Sequence, residues 1–354
     1  MSGVHSPLLL PVEDLDHVVD MIGVRWERLR GQKLLLTGGT GFIGKWLLAT
    51  FLHANRQLGL SARVVALSRR PESFLQEFPE LRGAPEIEWL TGDVRNLTPE
   101  IVGDCNFAIH AATDVVATST QSEILDTCIV GTRRVLDAML PGTAPRRLLL
   151  LSSGAVYGRT PSEVPAISES WSGAPDPLTS ASAYGEGKRV SELLCAMAAA
   201  VRPGLEVAIA RCFAFVGPHL PLDKHFAIGN FIGSAMRSED IHIQGDGTPL
   251  RSYLYAADLV HWLWLMLFDA PSGRAYNVGG TESLSIGELA HRVNGVLGGK
   301  GKVRIAQTPP PGAVPQSYVP SVERIAIELG VVPTVSLDEA ILRTALWAGQ
   351  PLLK

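Results

Sequence analysis

The chain has 354 residues, 46% hydrophobic and 19% charged, which gives ample apolar sequence for one large or two ordinary domains and excludes extensive disorder. Lys and Arg total 31 against 35 Asp and Glu, and the formal net charge of −4 excludes a general nucleic-acid binder. Cys105, Cys128, Cys195 and Cys212 lie far apart, with no CxxC and no Cys/His cluster. Neither a disulfide framework nor a metal site is expected, and the thiols are read as free in a reducing compartment.

The run Leu8, Leu9, Leu10 is followed by Pro11 and the acids Glu13, Asp14 and Asp16, unlike the basic start and longer apolar stretch of a secretory signal. The most apolar helix-like run, 259–268, contains His261 and is too short to span a bilayer. A soluble, cytoplasmic protein without membrane insertion is expected. Leu15, Val18, Val19, Ile22, Trp26 and Leu29 recur at helical spacing and predict an amphipathic helix over 13–30, within an N-terminal extension of residues 1–31.

From Lys33 onward, residues 33–37, 63–68, 86–90, 107–110 and 147–152 read as buried strands, with 206–211 as a further one. Residues 42–58, 123–139 and the segment after Ser182 read as helices. Continuous apolar strands separated by helices predict an α/β domain over 32–212 with right-handed crossovers and a parallel sheet. After residue 213 the rhythm changes. Short β-like pieces at 241–244, 276–279 and 302–305 mix with helices at 256–268 and 285–297. Residues 213–354 therefore read as a smaller α+β domain, with some segments crossing between the two.

Thr37-Gly38-Gly39-Thr40-Gly41-Phe42-Ile43-Gly44 joins the first strand to the first helix. Gly38 permits a tight turn, Gly41 lets the backbone approach a pyrophosphate, and Gly44 allows close helix–strand packing. Main-chain N–H groups at the helix start, among Thr40, Gly41, Phe42 and Ile43, hold the phosphates of a dinucleotide. At the end of the second strand an acidic residue would accept from a ribose 2′-hydroxyl; this chain has Ser68-Arg69-Arg70. Two guanidinium groups and a hydroxyl suit a 2′-phosphate and favour NADP over NAD, the alternative being a solvated arginine pair. Asp93, followed by Val94, stands where a carboxylate can accept from the adenine amino group. Ala111 and Ala112, after His110, let the chain pass close to the cofactor, and His110 itself reads as structural.

Ser153 follows the fifth strand, and Tyr184 and Lys188 stand four apart on one helical face. An ammonium beside the phenol stabilises phenolate, so Tyr184 can remove a hydroxyl proton as hydride leaves the attached carbon, while Ser153 hydrogen-bonds the same oxygen.

This order of motifs resembles that of extended short-chain dehydrogenase/reductases of the NAD-dependent epimerase/dehydratase family, over roughly residues 32–345. The resemblance implies a Rossmann domain with a doubly wound parallel sheet, a smaller C-terminal substrate domain and a nucleotide-diphosphate sugar as substrate. It also implies a homodimer formed through the helices near 120–140 and 184–200. Arg211-Cys212-Phe213-Ala214-Phe215-Val216-Gly217-Pro218 is similar to the family's RxxNxYGP segment, with Ala214 where asparagine is usual. Gly245-Asp246-Gly247 followed by Arg251 resembles the segment whose arginine binds the diphosphate. By the same resemblance Asn230 lines the nucleotide pocket, and His225 lies near a substrate-facing histidine of related reductase-epimerases.

The departures bear on the reaction. Sugar 4,6-dehydratases carry an Asp-Glu pair where this chain has Gly154 and Ala155, and C3/C5 epimerases carry a cysteine at the position of Ala155. The expectation is therefore a C4 epimerase. The alternatives are an NADPH-dependent 4-keto-sugar reductase, a dehydratase or decarboxylase using non-standard acids, and a non-catalytic nucleotide-binding regulator.

Overall fold

The computed structural model describes residues 7–102, 104–113, 119–139, 146–161, 164–223 and 226–349. Helix α1 (Val12–Ile22) buries Leu15, Val18, Val19 and Ile22, one face of the apolar stripe. It stops at Gly23, whose φ of +56° a helix interior does not accept. The chain continues as a 3-10 turn, Gly23–Leu29, that seats Trp26 and Leu29. The single helix expected over 13–30 is thus two elements, because the glycine re-aims the chain while the buried face carries on.

Next come β1 (Lys33–Thr37), α2 (Phe42–Gln57), β2 (Arg63–Ser68), α3 (Pro71–Glu77), β3 (Ile87–Thr91), α4 (Pro99–Val102), β4 (Phe107–His110), α5 (Gln121–Ala138), β5 (Arg146–Ser153), α6 (Ala183–Val201) and β6 (Leu205–Cys212). Then follow β7 (Phe215–Val216), α7 (Ala227–Met236), β8 (Ile241–Ile243), β9 (Leu250–Arg251), β10 (Leu254–Tyr255), α8 (Ala256–Asp269) and β11 (Arg274–Val278). The main sheet has the order β11-β6-β5-β4-β1-β2-β3, and its strands from β3 to β5 pair in parallel. The strand order reverses between β1 and β4, the switch point of a doubly wound Rossmann sheet, where ligands bind beyond the strands' carboxyl ends.

Burial explains why the strands read as unbroken apolar runs. Leu35, Val65, Ala108, Leu148 and Leu150 share one core with Val135 and Leu136 of α5 and with Cys195 and Ala198 of α6. Helix α5 begins at Thr120, which forms a capping box with Glu123. All four cysteines are buried and unbridged.

The chain divides into two compact units. The first comprises residues 1–158, 174–211 and 260–276; the second comprises 159–173, 212–259 and 277–354. Residues 1–31 belong to the first unit, as do 260–276, although the latter read by rhythm with the C-terminal domain. Packing accounts for this. Trp264 is fully buried, donates its indole N–H to Thr50 Oγ1 at 2.8 Å, and lies 4.9 Å from the Trp26 ring. Arg147 of β5 donates to the carbonyls of Leu267 (2.7 Å) and Ala270 (2.6 Å), and Arg28 donates to the carbonyl of Phe268. These contacts tie the end of α8 to the sheet, and β11, expected as a piece of the C-terminal domain, takes its place as an edge strand.

In the second unit β9 pairs with β12 (Leu284–Ser285) and, in parallel, with β14 (Ser317–Tyr318), while β8 pairs with β13 (Val303–Ile305). Helix α9 (Ile286–Val296) starts from a capping box of Ser285 and Glu288. Asp258 is fully buried, and its carboxylate accepts from the Thr334 N–H at 2.9 Å, the Thr334 hydroxyl at 2.5 Å and the Val335 N–H at 3.1 Å, which satisfies the charge. Among the described residues no helix is long and apolar enough to cross a membrane.

Candidate active site

The carboxyl ends of β1, β2, β3 and β4 surround a cavity of about 530 Å³ within the first unit. Gly38, Thr40 and Gly41 form one wall, Ser68, Arg69 and Arg70 another, and Asp93, Val94, Ala111, Ala112 and Thr113 a third. Sequence separations as large as that from Gly38 to Ala112 are thereby closed into one pocket. Of the residues expected to bind a dinucleotide, Phe42, Ile43, Gly44, Tyr184 and Lys188 do not line it. Phe42 and Ile43 open α2 immediately after Gly41.

Two glycines are required by the backbone. Gly38 has φ +75°, and a Cβ there would lie 2.7 Å from the Ala111 carbonyl carbon and 2.8 Å from the Ala112 nitrogen. A Cβ on Gly44 would lie 2.2 Å from the Gly38 carbonyl oxygen and 2.6 Å from Gly39 Cα. The loop can therefore pack this tightly only without side chains, and it leaves the start of α2 pointing at the cavity.

The cavity wall carries charges of both signs, Arg69 and Arg70 against Glu77 and Asp93. Arg69 and Arg70 are exposed at its rim. The Asp93 carboxylate is gripped by Arg95, with Nε to Oδ1 at 2.9 Å and Nη2 to Oδ2 at 2.8 Å, and accepts the Arg95 main-chain N–H at 2.9 Å. The hydrogen bond from Arg95 holds this carboxyl below the usual range, so it stays an acceptor.

Behind the cavity, His110 is buried with its Nδ1 2.7 Å from Thr37 Oγ1, and Thr37 Oγ1 also accepts the Ala112 N–H at 3.2 Å. Burial, helped by the charge of Lys188, lowers the His110 pKa to about 3, so the ring is neutral at physiological pH and joins β1 to β4. The native state then binds fewer protons at this site than the unfolded chain between about pH 6.5 and 3, so the site's contribution to stability is lost as pH falls through that window.

Lys188 is almost wholly buried; its Nζ donates to Thr113 Oγ1 and to the Leu151 carbonyl, both at 2.7 Å, and lies 6.0 Å from the centre of the Tyr184 ring. Thr113 donates onward to the Ala112 carbonyl at 2.7 Å and lines the cavity, so it links the lysine to the pocket. Ser153 caps the 3-10 turn Gly154–Tyr157: its Oγ accepts the Ala155 N–H at 3.1 Å, which leaves its own proton to donate. Ser153, Tyr184 and Lys188 thus sit on β5 and α6 of the first unit.

The glycine turn, the cavity and the residues Ser153, Tyr184 and Lys188 thus all belong to the first unit. Residues 34–279 match the NAD dependent epimerase/dehydratase family. The chain belongs to that family. Among its relatives, UDP-glucuronic acid decarboxylase 6 of Arabidopsis thaliana is 28% identical over 312 residues, covering 87% of this chain and 86% of that protein. UDP-glucuronic acid decarboxylase 1 of Xenopus tropicalis is 27% identical over 317 residues, covering 88% and 71%. A solved structure of MoeE5 in complex with UDP-glucuronic acid and NAD is 26% identical, with a TM-score of 0.70 over 89% of this chain and 98% of that one.

The remaining expected residues lie in the second unit. Arg251 ends β9, half-buried, with its guanidinium 5.6 Å from the centre of the Tyr318 ring and Nη1 donating to the Leu250 carbonyl at 2.8 Å. Asn230 is exposed on α7. His225 falls outside the described residues. Sequence reasoning missed Thr113, which directly follows the His110-Ala111-Ala112 run it singled out.

It also missed Glu192, although 184, 188 and 192 form one helical stripe. Glu192 is paired with Arg211, both oxygens meeting the guanidinium. Burial works against the Arg211 charge, but the hydrogen bond and charge of Glu192, with Tyr157, outweigh it and hold the guanidinium protonated.

Gly38→Ala is expected to abolish dinucleotide binding, because strained φ and a main-chain clash coincide there. Titration calorimetry with NAD and NADP checks it, and wild-type affinity for either would remove Gly38 from the loop's function.

Proposed function

We propose that the chain is an NAD(P)-dependent enzyme that acts on a nucleotide-diphosphate sugar by hydride transfer at sugar C4, and that its reaction is the decarboxylation of UDP-glucuronic acid. The observation that carries this reading is that relatives matching nearly nine-tenths of the chain are UDP-glucuronic acid decarboxylases. MoeE5 binding UDP-glucuronic acid with NAD supports the same substrate. The decarboxylase alternative therefore stands ahead of the C4 epimerase that the small residues at 154 and 155 first suggested.

The dinucleotide fits the residues present. Gly38, Thr40 and Gly41 would hold its phosphates, Asp93 its adenine, and Arg69 and Arg70 a 2′-phosphate, while Ala111 and Ala112 leave room beside it. When bound, it supplies the acceptor and donor of hydride for sugar C4. Tyr184 takes the C4 hydroxyl proton, the Lys188 ammonium stabilises the phenolate, and Ser153 donates to the same sugar oxygen. Once C4 is a ketone, the C6 carboxylate belongs to a β-keto acid. The C5–C6 bond breaks, CO2 departs, and the bonding pair enters an enolate whose oxygen faces Ser153 and Tyr184. C5 then takes a proton from solvent water, and as C4 returns to the alcohol level Tyr184 gives its proton back to the oxygen. The cycle is redox-neutral, and expelling CO2 needs no acid of the kind that Gly154 and Ala155 lack.

A second reading, C4 epimerisation of the same nucleotide sugar, is favoured by one observation: neither Gly154 nor Ala155 carries an acid to reprotonate C5. We propose in addition that Arg251 binds the diphosphate, with Asn230 beside the nucleotide and His225 toward the sugar. A second copy of the chain is the proposed partner of α5 and α6. Leu193, Met197 and Val201 form an exposed apolar stripe on α6, with Val201 75% exposed. Sedimentation velocity is expected to return about twice the 38.0 kDa chain mass, and a monomer at micromolar concentration would retire this pairing.

UDP-glucuronic acid labelled at the carboxyl carbon is the decisive substrate. Label released as CO2 is the expected result; label retained in a C4 epimer would replace the main reading with the second. Tyr184→Phe is expected to lower turnover by about 10²–10⁴-fold while dinucleotide affinity persists, and turnover equal to wild type would end the assignment. Two titrations read the phosphate contacts. Arg69→Ala with Arg70→Ala is expected to weaken NADP about tenfold or more and NAD little, and Arg251→Ala to weaken UDP by a similar factor. An unchanged affinity in either retires that contact.

A further inference from the structure

Ser153 comes from the end of β5 and Tyr184 from the first turn of α6, and both have to meet one sugar oxygen. The spacing between strand end and helix is held by side chains other than those two. Lys188 Nζ reaches the Leu151 carbonyl at 2.7 Å. One residue along, Ser152 donates from Oγ to Glu192 Oε1 at 2.5 Å. Glu192 lies four residues after Lys188 and eight after Tyr184, on the same face of α6. Its carboxylate is gripped from β6 by Arg211, with Nε 3.0 Å from Oε1 and Nη2 2.7 Å from Oε2. Arg211 also donates from Nη1 to the Tyr157 hydroxyl at 2.9 Å, in the turn that Ser153 caps, and Arg189 donates to the Val156 carbonyl at 3.2 Å. Strand end, helix and turn therefore converge on one carboxylate whose side chain is 12% exposed.

We propose that Ser152, Glu192 and Arg211 are positioning residues that fix the end of β5 against α6 and so set the distance between the Ser153 hydroxyl and the Tyr184 phenol. The assignment rests on Ser153, Tyr184 and Lys188 carrying the chemistry. A desolvated ion pair adds little net stability over an apolar pair of the same size. What this one supplies is a rigid joint between β5, β6, α6 and the turn. Catalytic groups displaced by about 1 Å lose on the order of 10²-fold in rate. Ser152 is the part of the joint that can be removed without stranding a buried charge.

The test compares Ser152→Ala with wild type on UDP-glucuronic acid. The expected result is a fall of about tenfold or more in kcat, with KM, dinucleotide affinity and thermal midpoint close to wild type, and recovery of kcat in Ser152→Thr, which keeps the hydroxyl. A wild-type kcat in Ser152→Ala overturns the proposal, and so does a loss of kcat matched by loss of dinucleotide affinity, which a merely structural role would produce. Should wild type leave UDP-glucuronic acid untouched, the functional reading falls and the joint is decided by a measurement that needs no turnover. Phenolate absorbance of Tyr184, taken as the difference from Tyr184→Phe, is followed with pH in both backgrounds. The expected result is a higher titration midpoint in Ser152→Ala, because the strand end that holds Lys188 beside the phenol is loosened. An unchanged midpoint overturns the proposal.

Discussion

A buried ammonium organises the first unit. Lys188 sits on α6 almost without solvent, and a charge in that position needs polar partners close by. It finds them on two different strands' ends: the carbonyl of Leu151 from β5 and the hydroxyl of Thr113 from the segment after β4. Satisfying this one group therefore fixes α6 over the switch point of the sheet. The same charge reaches His110 on β4, where it adds to burial in keeping the imidazole neutral. Placing a second positive charge behind the pocket would work against the first, and the pairing of His110 with Thr37 removes the need for it.

Around that fixed point the site divides its labour by element. The glycine turn and the carboxyl ends of β1 to β4 enclose the cavity. Strand β5 and helix α6 contribute groups that can move a proton. Neither half is a continuous stretch of chain, and neither depends on a long loop for its shape. Ser153, Tyr184 and Lys188 stand on a strand end and a helix, elements that hold their geometry better than loops.

Much of this was legible in the sequence because burial on both faces leaves an unmistakable record. The strands at 33–37, 63–68 and 107–110 agree with the structure to the residue, since nothing polar interrupts them. The strand expected at 147–152 is longer by one residue at each end, and that at 86–90 shifts by one. The glycine turn could be read for the same reason: its spacing is dictated by main-chain clashes rather than by changeable surface chemistry. What could not be read are features made by distant pairs. Nothing local announces that 274–278 joins the main sheet, that Trp26 meets Trp264, or that Glu192 will meet Ser152 and Arg211. Gly23 was visible, but one glycine in an amphipathic pattern is compatible with a continuous helix until the turn after it is seen. The reaction was the least legible. Small residues at 154 and 155 exclude some acids without naming the bond to be broken, and the relatives were needed to bring decarboxylation forward.

The path of the chain also bears on how the protein can be made. The first unit is left at residue 211 and rejoined at 260–276, and its sheet ends in Arg274–Val278 beside β6. During synthesis, β6 emerges with an unpaired edge, and the pocket under Trp26 lacks Trp264 until some fifty further residues have been added. The first unit therefore reaches its full hydrogen-bonded width only after much of the second has left the ribosome. Cutting the gene at the apparent boundary near 212 would release a sheet with an open edge, prone to pair with its neighbours.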